Sequence, residues 1–160
     1  IVDWRGPGEG SFARLASDGA ALAGEVGEYW RRSHADFGSA AGVDLLEQAG
    51  GGVDRAVYLR TVVVSERPRR AVVRAGSDDG LVVWLNGAVV WARDEPRPYR
   101  AVEDAFEIEL GAGANELVFR VSQTGGDWRF GARVEDPASG VPVWASPRVE
   151  DRSGGHGSED

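Results

Sequence analysis

From Arg55 onward hydrophobic and polar residues alternate along the chain. In "AVYLRTVVV" Val57, Leu59, Thr61 and Val63 fall on one side, and Tyr58, Arg60, Val62 and Val64 on the other. That period of two is what a strand imposes on its side chains. After the break "ERPRR", "AVVRAGS" reads as the next strand, and "DDG" turns the chain into "LVVWLNGAVVWAR". Asn86-Gly87 between two β-branched and aromatic runs predicts a type I′ hairpin pairing Leu81 to Leu85 with Ala88 to Ala92, because that turn needs positive φ at both central residues. "RDEPRPYRAVED" is too rich in proline and charge for a central strand and is expected as a surface loop. In "AFEIEL" Phe106, Ile108 and Leu110 point inward and Glu107 and Glu109 outward. "GAGAN" then turns into "ELVFRVSQ" with Leu117, Phe119 and Val121 inward. "TGGD" turns into "WRFGARVED", and "VPVWA" is expected as a last edge strand.

The first fifty residues carry less pattern: "IVDWRGPGEGSF" is glycine-rich and "ARLASDGAALAG" has no clean period. One short helix is expected at "VDLLEQAG", with Asp44 at its start and Gly50 ending it. About eight short strands, turn signals roughly every ten residues and little helix describe an antiparallel β-sandwich. The expected organisation is one sandwich domain over 1–146 and a polar tail over 147–160, where "PRVEDRSGGHGSED" loses all period.

Composition narrows the function classes. The 160 residues suit one domain, and six tryptophans argue for a packed core. A net charge of −8 opposes binding to nucleic acid or an anionic membrane surface, which needs a basic footprint. All 18 basic residues are arginine, which GC-rich coding explains, although the planar guanidinium fork also suits carboxylate pairing. There is no cysteine, so neither disulfides nor thiolate metal sites enter. The longest apolar run, Leu81 to Ala92, is interrupted by Asn86 and Gly87 and falls short of the ~20 residues a membrane span requires. The absence of methionine suggests a chain processed at its N-terminus or cut from something longer, and the expected location is outside the cytoplasm, periplasmic or extracellular.

Three stretches, "GSDDGLVVWLNG", "GANEL" and "GGDWRFGAR", follow the strand "AVYLRTVVV" in an order that resembles the galactose-binding-like jelly-roll modules of exported bacterial proteins. The likeness spans residues 54–137. It implies an all-β jelly-roll sandwich, and it leaves sugar binding, spacing and assembly all open, since one sandwich serves several functions.

The chemistry-bearing candidates lie in loops. Asp78 and Asp79 offer hard oxygens of the kind calcium takes. The competing reading gives Asp78 a turn-capping role and makes Gly80 the supplier of positive φ. Trp84, flanked by valines, is expected in the core. Trp91, on the same face as Val89, joins Tyr99 and Trp128 as an aromatic that a sandwich end can present to a sugar ring. Arg93, Arg97, Arg100 and Arg129 would then supply hydrogen bonds to hydroxyls or to an acidic partner, against the alternative that they only solvate loops. His34 and His156 stand in no metal-ligand spacing, and there is no nucleophile elbow, phosphate loop or dinucleotide fingerprint. No enzyme activity is expected. Two functions remain: first, a structural or accessory subunit of a larger protein assembly; second, a carbohydrate-binding module.

Overall fold

The computed structural model describes residues 2–5, 31–33 and 35–143. The strands are β1 (Val2–Arg5), β2 (Arg31–Ser33), β3 (Val43–Asp44), β4 (Arg55–Ser65), β5 (Arg69–Ser77), β6 (Leu81–Leu85), β7 (Ala88–Arg93), β8 (Asp104–Leu110), β9 (Gly113–Gln123) and β10 (Arg129–Glu135), with one helical turn, α1 (Leu45–Ala49), between β3 and β4. They form a six-stranded sheet in the order β2-β1-β4-β9-β6-β7 and a four-stranded sheet in the order β3-β10-β5-β8. Every described pairing is antiparallel. The protein is a β-sandwich, as the alternation predicts.

The core is what the period-two reading selects. Val57, Leu59 and Val63 of β4, Leu117, Phe119 and Val121 of β9, and Leu81 and Val83 of β6 meet Ala71, Val73, Phe106, Ile108, Phe130 and Val134 of the facing sheet in one buried cluster. Removing that apolar surface from water is the main drive for closing two sheets face to face. A second buried cluster, Ala56, Tyr58, Val82, Trp84 and Val118, lies on the outer face of the six-stranded sheet. Trp84 is therefore buried, but not between the sheets.

Local chemistry sets the turns. Asn86 and Gly87 have φ of 49° and 84°, the pair of positive values a I′ hairpin needs. The Asn86 side chain also ties the turn to β9, donating to Asn115 Oδ1 at 3.2 Å and accepting from the Glu116 N–H at 2.8 Å. Asn115, 1% exposed, closes the β8–β9 turn: its Oδ1 accepts from the Gly111 N–H at 2.8 Å, and its Nδ2 donates to the Gly111 carbonyl at 2.9 Å. In α1, Asp44 caps the start by accepting from the N–H groups of Leu46 and Glu47, and the Gly50 N–H returns to the Leu46 carbonyl.

Three expectations change. The pairing of β6 with β7 slips by one residue between Val83 and Trp84, so Val89 faces Trp84 while Trp91 faces Val83. The bulge at Val90 reverses the side on which Trp91 emerges; Trp91 turns toward the core and does not share a face with Val89. Positive φ in the GSDDG turn belongs to Asp79, at 63°, rather than to Gly80. Gly80 is needed for room instead: a Cβ there would lie 2.1 Å from Asp94 Oδ1 and 2.4 Å from Ser122 Oγ. Of "VPVWA", Pro142 makes an isolated bridge to Glu135, and Trp144 and Ala145 lie outside the described residues, as do the expected tail 147–160, His34 and His156. Among the described residues no helix is long and apolar enough to cross a membrane.

Candidate functional site

The β7–β8 connection, residues 94–103, carries the chain from the edge of one sheet to the edge of the other, and most sequence-selected residues lie on it or beside it. Arg97 is 8% exposed. Its Nη1 and Nη2 grip both carboxylate oxygens of Asp104, the Nη1 to Oδ1 distance being 2.9 Å, while Nη2 also donates to Ser77 Oγ at 2.6 Å and Nε to the Asp79 carbonyl at 3.2 Å. Such a fork-on-carboxylate pair is strong because both partners are ionised and aligned. Arg97 is a fastening inside the fold, and so is not available to a ligand.

Asp79 fastens the same region from the other side. Its Oδ1 accepts from the Arg97 N–H at 3.2 Å, and its Oδ2 accepts from the Thr124 N–H and from Thr124 Oγ1, the latter at 2.7 Å. These bonds tie the β5–β6 turn to both the connection and the end of β9, and they occupy the carboxylate that was a candidate for calcium. Among the described residues no group of three or more histidine, aspartate or glutamate side chains gathers as a metal site would. Asp78, next to it, is 9% exposed. Burial first, then the neighbouring Asp79 carboxylate, pushes the Asp78 carboxyl above its ordinary range, although the Tyr99 N–H bonds to it.

Tyr99 lies against glycine. Gly76 and Gly131 are paired across β5 and β10. An added Cβ at Gly131 would come within 2.8 Å of the Tyr99 hydroxyl, and one at Gly42 within 2.7 Å. The hydroxyl donates to the Ala40 carbonyl at 3.1 Å, and burial raises its pKa. The ring thus closes the connection onto the outer face of the four-stranded sheet.

The remaining aromatic candidates do not form a sugar platform. Trp91 stacks on Phe106 with centroids 4.9 Å apart and planes within 6°, so one face is taken and the ring is half-buried. Trp128 is 1% exposed and sits in the core cluster; it lies just before β10, and its carbonyl accepts from the Leu45 N–H at the start of α1. Arg93 pairs with Glu95 at 2.6 Å and with Asp104 at 3.4 Å. Arg129 donates to the Ala41 carbonyl at 3.1 Å and lies 3.9 Å from Asp44. Arg100 is exposed. The structure therefore gathers the selected residues in one region, but spends most of them on closing the sandwich.

A cleft of about 200 Å³ opens beside this network, between residues 94–96 and the end of β9. It is lined by Asp54, Asp94, Glu95, Ser122, Gln123 and Thr124, with Arg120 and Pro96. Asp94 accepts from Ser122 Oγ at 2.9 Å and from Arg120 at 3.3 Å. Asp54, at φ 55°, has no hydrogen bond or ion pair with another described side chain. Gln123 is 2% exposed, donates through Nε2 to the Gly126 carbonyl at 3.1 Å, and keeps Oε1 without a partner. None of these lining residues stands out in the sequence; the one signal was the run "SQT" at the end of a strand that otherwise buries apolar residues.

No family model matches the sequence, and no curated protein matches it either. Solved structures are similar in fold. The PA14 domain of the MpAFP antifreeze protein is 16% identical, with a TM-score of 0.54, over 88% of this chain and 83% of that one. A PA14 sugar-binding domain from an RTX adhesin is 18% identical, with a TM-score of 0.52, over 84% and 87%. An anti-sigma factor domain-containing protein is 14% identical, with a TM-score of 0.52, over 89% of this chain but 44% of its own length. These likenesses establish the β-sandwich; the finer galactose-binding-like assignment is not carried by them.

Asp78 gives the site a pH signature. Its folded pKa is raised, so its contribution to stability is fully present below the unfolded value and is lost as pH rises through the folded one. Asp78→Asn keeps an acceptor for the Tyr99 N–H without the charge. It is expected to raise the melting temperature at pH 7 and to leave it nearly unchanged at pH 3; an equal effect at both would show that charge burial is not the cause.

Proposed function

We propose that the chain is a non-catalytic recognition module acting outside the cytoplasm, and that it binds a carbohydrate in the cleft between residues 94–96 and the end of β9. The observation that carries this reading is the lining: Asp54, Ser122 and Gln123 with Asp94, Glu95 and Thr124 present mostly oxygen acceptors on a surface open to a small ligand. Sugar hydroxyls are donors as well as acceptors and suit such a wall. The unpartnered Gln123 Oε1 is the kind of buried acceptor whose satisfaction favours binding. The acidic lining directs the cleft to neutral sugars, because an anionic one would meet Asp54, Asp94 and Glu95. Binding rests on polar contacts instead of the aromatic platform formed by Trp91, Tyr99 and Trp128 that the sequence suggests. The fold likeness to a sugar-binding domain of an adhesin supports both the ligand class and the location. Asp94 is engaged by Ser122 and Arg120 and Glu95 by Arg93, so these carboxylates serve as fixed acceptors, which supports a role without catalysis.

An accessory role in a larger protein assembly is the second reading. It draws on β7 and β8, each of which pairs with a single neighbour and leaves its other backbone edge open among the described residues. An open edge accepts an added strand from a partner.

For the first reading, titration with galactose, glucose and mannose followed by NMR is expected to move the Ser122 and Thr124 amides. Asp54→Asn and Glu95→Gln, both exposed and unneeded for the core, should each weaken binding by roughly three- to tenfold with the melting temperature unchanged. Silence at those amides for every neutral sugar would sink the cleft as a binding site. For the second, light scattering should give a mass above that of one chain when the intact source extract is fractionated; a monomer in both extract and purified material would remove it.

A further inference from the structure

On the outer face of the four-stranded sheet, Arg133 of β10 stands directly opposite Arg74 of β5. Like charges at a cross-strand pair destabilise a sheet, so a compensating group is needed. Glu135, two residues along β10 on the same face, is that group. Its Oε2 accepts from Arg74 Nε at 2.7 Å and its Oε1 accepts from Arg133 Nε. Burial by itself would push the Glu135 carboxyl up, but the bonds and charges of Arg133 and Arg74 hold it below its ordinary value. One carboxylate thus serves two guanidinium groups. One positive charge is left over.

Both bonds to Glu135 use Nε, so the Nη1 and Nη2 atoms of Arg74 and Arg133 make no hydrogen bond with any described residue. The two side chains are 40% and 36% exposed: held in place from below, open above. By contrast, Arg97 and Arg129 both use their Nη atoms within the fold. The pair lines a shallow surface depression together with Gly131, Ser39 and Tyr99.

We propose that Arg74 and Arg133 form an anion-binding subsite, separate from the cleft, that takes the carboxylate of an acidic sugar such as a uronate. Planar guanidinium forks match a carboxylate in two-point contact. A monoanion also fits the single uncompensated charge, whereas a dianionic phosphate would bring a second negative charge beside Glu135 on a chain of net charge −8. That the carboxylate arrives on a sugar rests on the carbohydrate reading above; that an anion binds rests on the arginines alone.

The test is an NMR titration of the whole chain with glucuronate, with glucose, and with a short acidic peptide. Glucuronate is expected to move the Arg74, Gly131 and Arg133 amides, and Arg74→Gln and Arg133→Gln should each weaken that binding by about tenfold or more. Since either change removes a partner of Glu135, Arg133→Lys is the control for folding: it keeps the charge, loses the fork, and should give a smaller loss. Glucuronate shifts that persist unchanged in the glutamine variants would overturn the subsite. Silence toward glucuronate while glucose still moves Ser122 and Thr124 would overturn it too, leaving the carbohydrate reading intact. A response to the peptide but not to glucuronate would overturn the sugar as the source of the carboxylate. Silence toward both sugars would remove both proposals.

Discussion

The buried pairing of Arg97 with Asp104, anchored by Asp79, is the constraint on which the rest of the molecule depends. A sandwich needs the chain to pass from one sheet to the other, and such a crossing cannot bury its own backbone without partners. The chain crosses between the sheets several times, and at the β7–β8 crossing Arg97 reaches inward to supply those partners. Burying two charges is costly unless they are paired and their remaining donors and acceptors satisfied. Ser77 Oγ meets that condition by accepting from Arg97 and donating to the Asp79 carbonyl at 2.7 Å. Removing either ion would leave the other stranded in the interior, so the network holds as a unit.

The cleft, and the Tyr99 border of the second site, take their shape from that unit. The Asp79 carboxylate, through Thr124, holds the end of β9 against the GSDDG turn, and the cleft opens between this end and residues 94–96. On the other side, the same crossing lays Tyr99 over the Gly76–Gly131 pair and lines the depression beside Arg74 and Arg133. A single fastening therefore positions the acidic cleft and the Tyr99 border of the second site, while the cationic pair itself is set by the β5–β10 register. The two sites differ in charge, as surfaces that read different groups must.

Much of the fold is legible in the residues themselves. Val57, Leu59 and Val63 mark their shared face by alternation, Asn86-Gly87 marks its hairpin, and Asp44 with Gly50 marks a helical turn as short as α1. What escapes is whatever depends on register or on distant partners. Alternation alone puts Trp91 with Val89, and only the bulge at Val90 reverses it. "SDDG" shows a turn but not that Asp79 adopts positive φ while Gly80 makes room for Asp94. Arg97 looks like a loop cation because its partners Asp79 and Asp104 become neighbours only after the sheets close. Arg74 and Arg133 are 59 residues apart in the chain, and their juxtaposition follows from the β5–β10 register. The parity of "RVE" at the end of β10 was a usable hint, since it places Arg133 and Glu135 on one outward face.

The central claim is that the Asp79 carboxylate couples the crossing to the end of β9, and hydrogen exchange on Asp79→Asn tests it most directly. Asparagine tolerates the left-handed backbone at this position, so the variant removes the charge without forcing the turn open. Protection of the Arg97 and Thr124 amides is expected to fall together, by at least about tenfold, while Leu59 and Phe119 in the β4–β9 ladder keep theirs. Loss at Thr124 alone, with Arg97 still protected, would contradict the coupling and leave the cleft and the Tyr99 border without their common support.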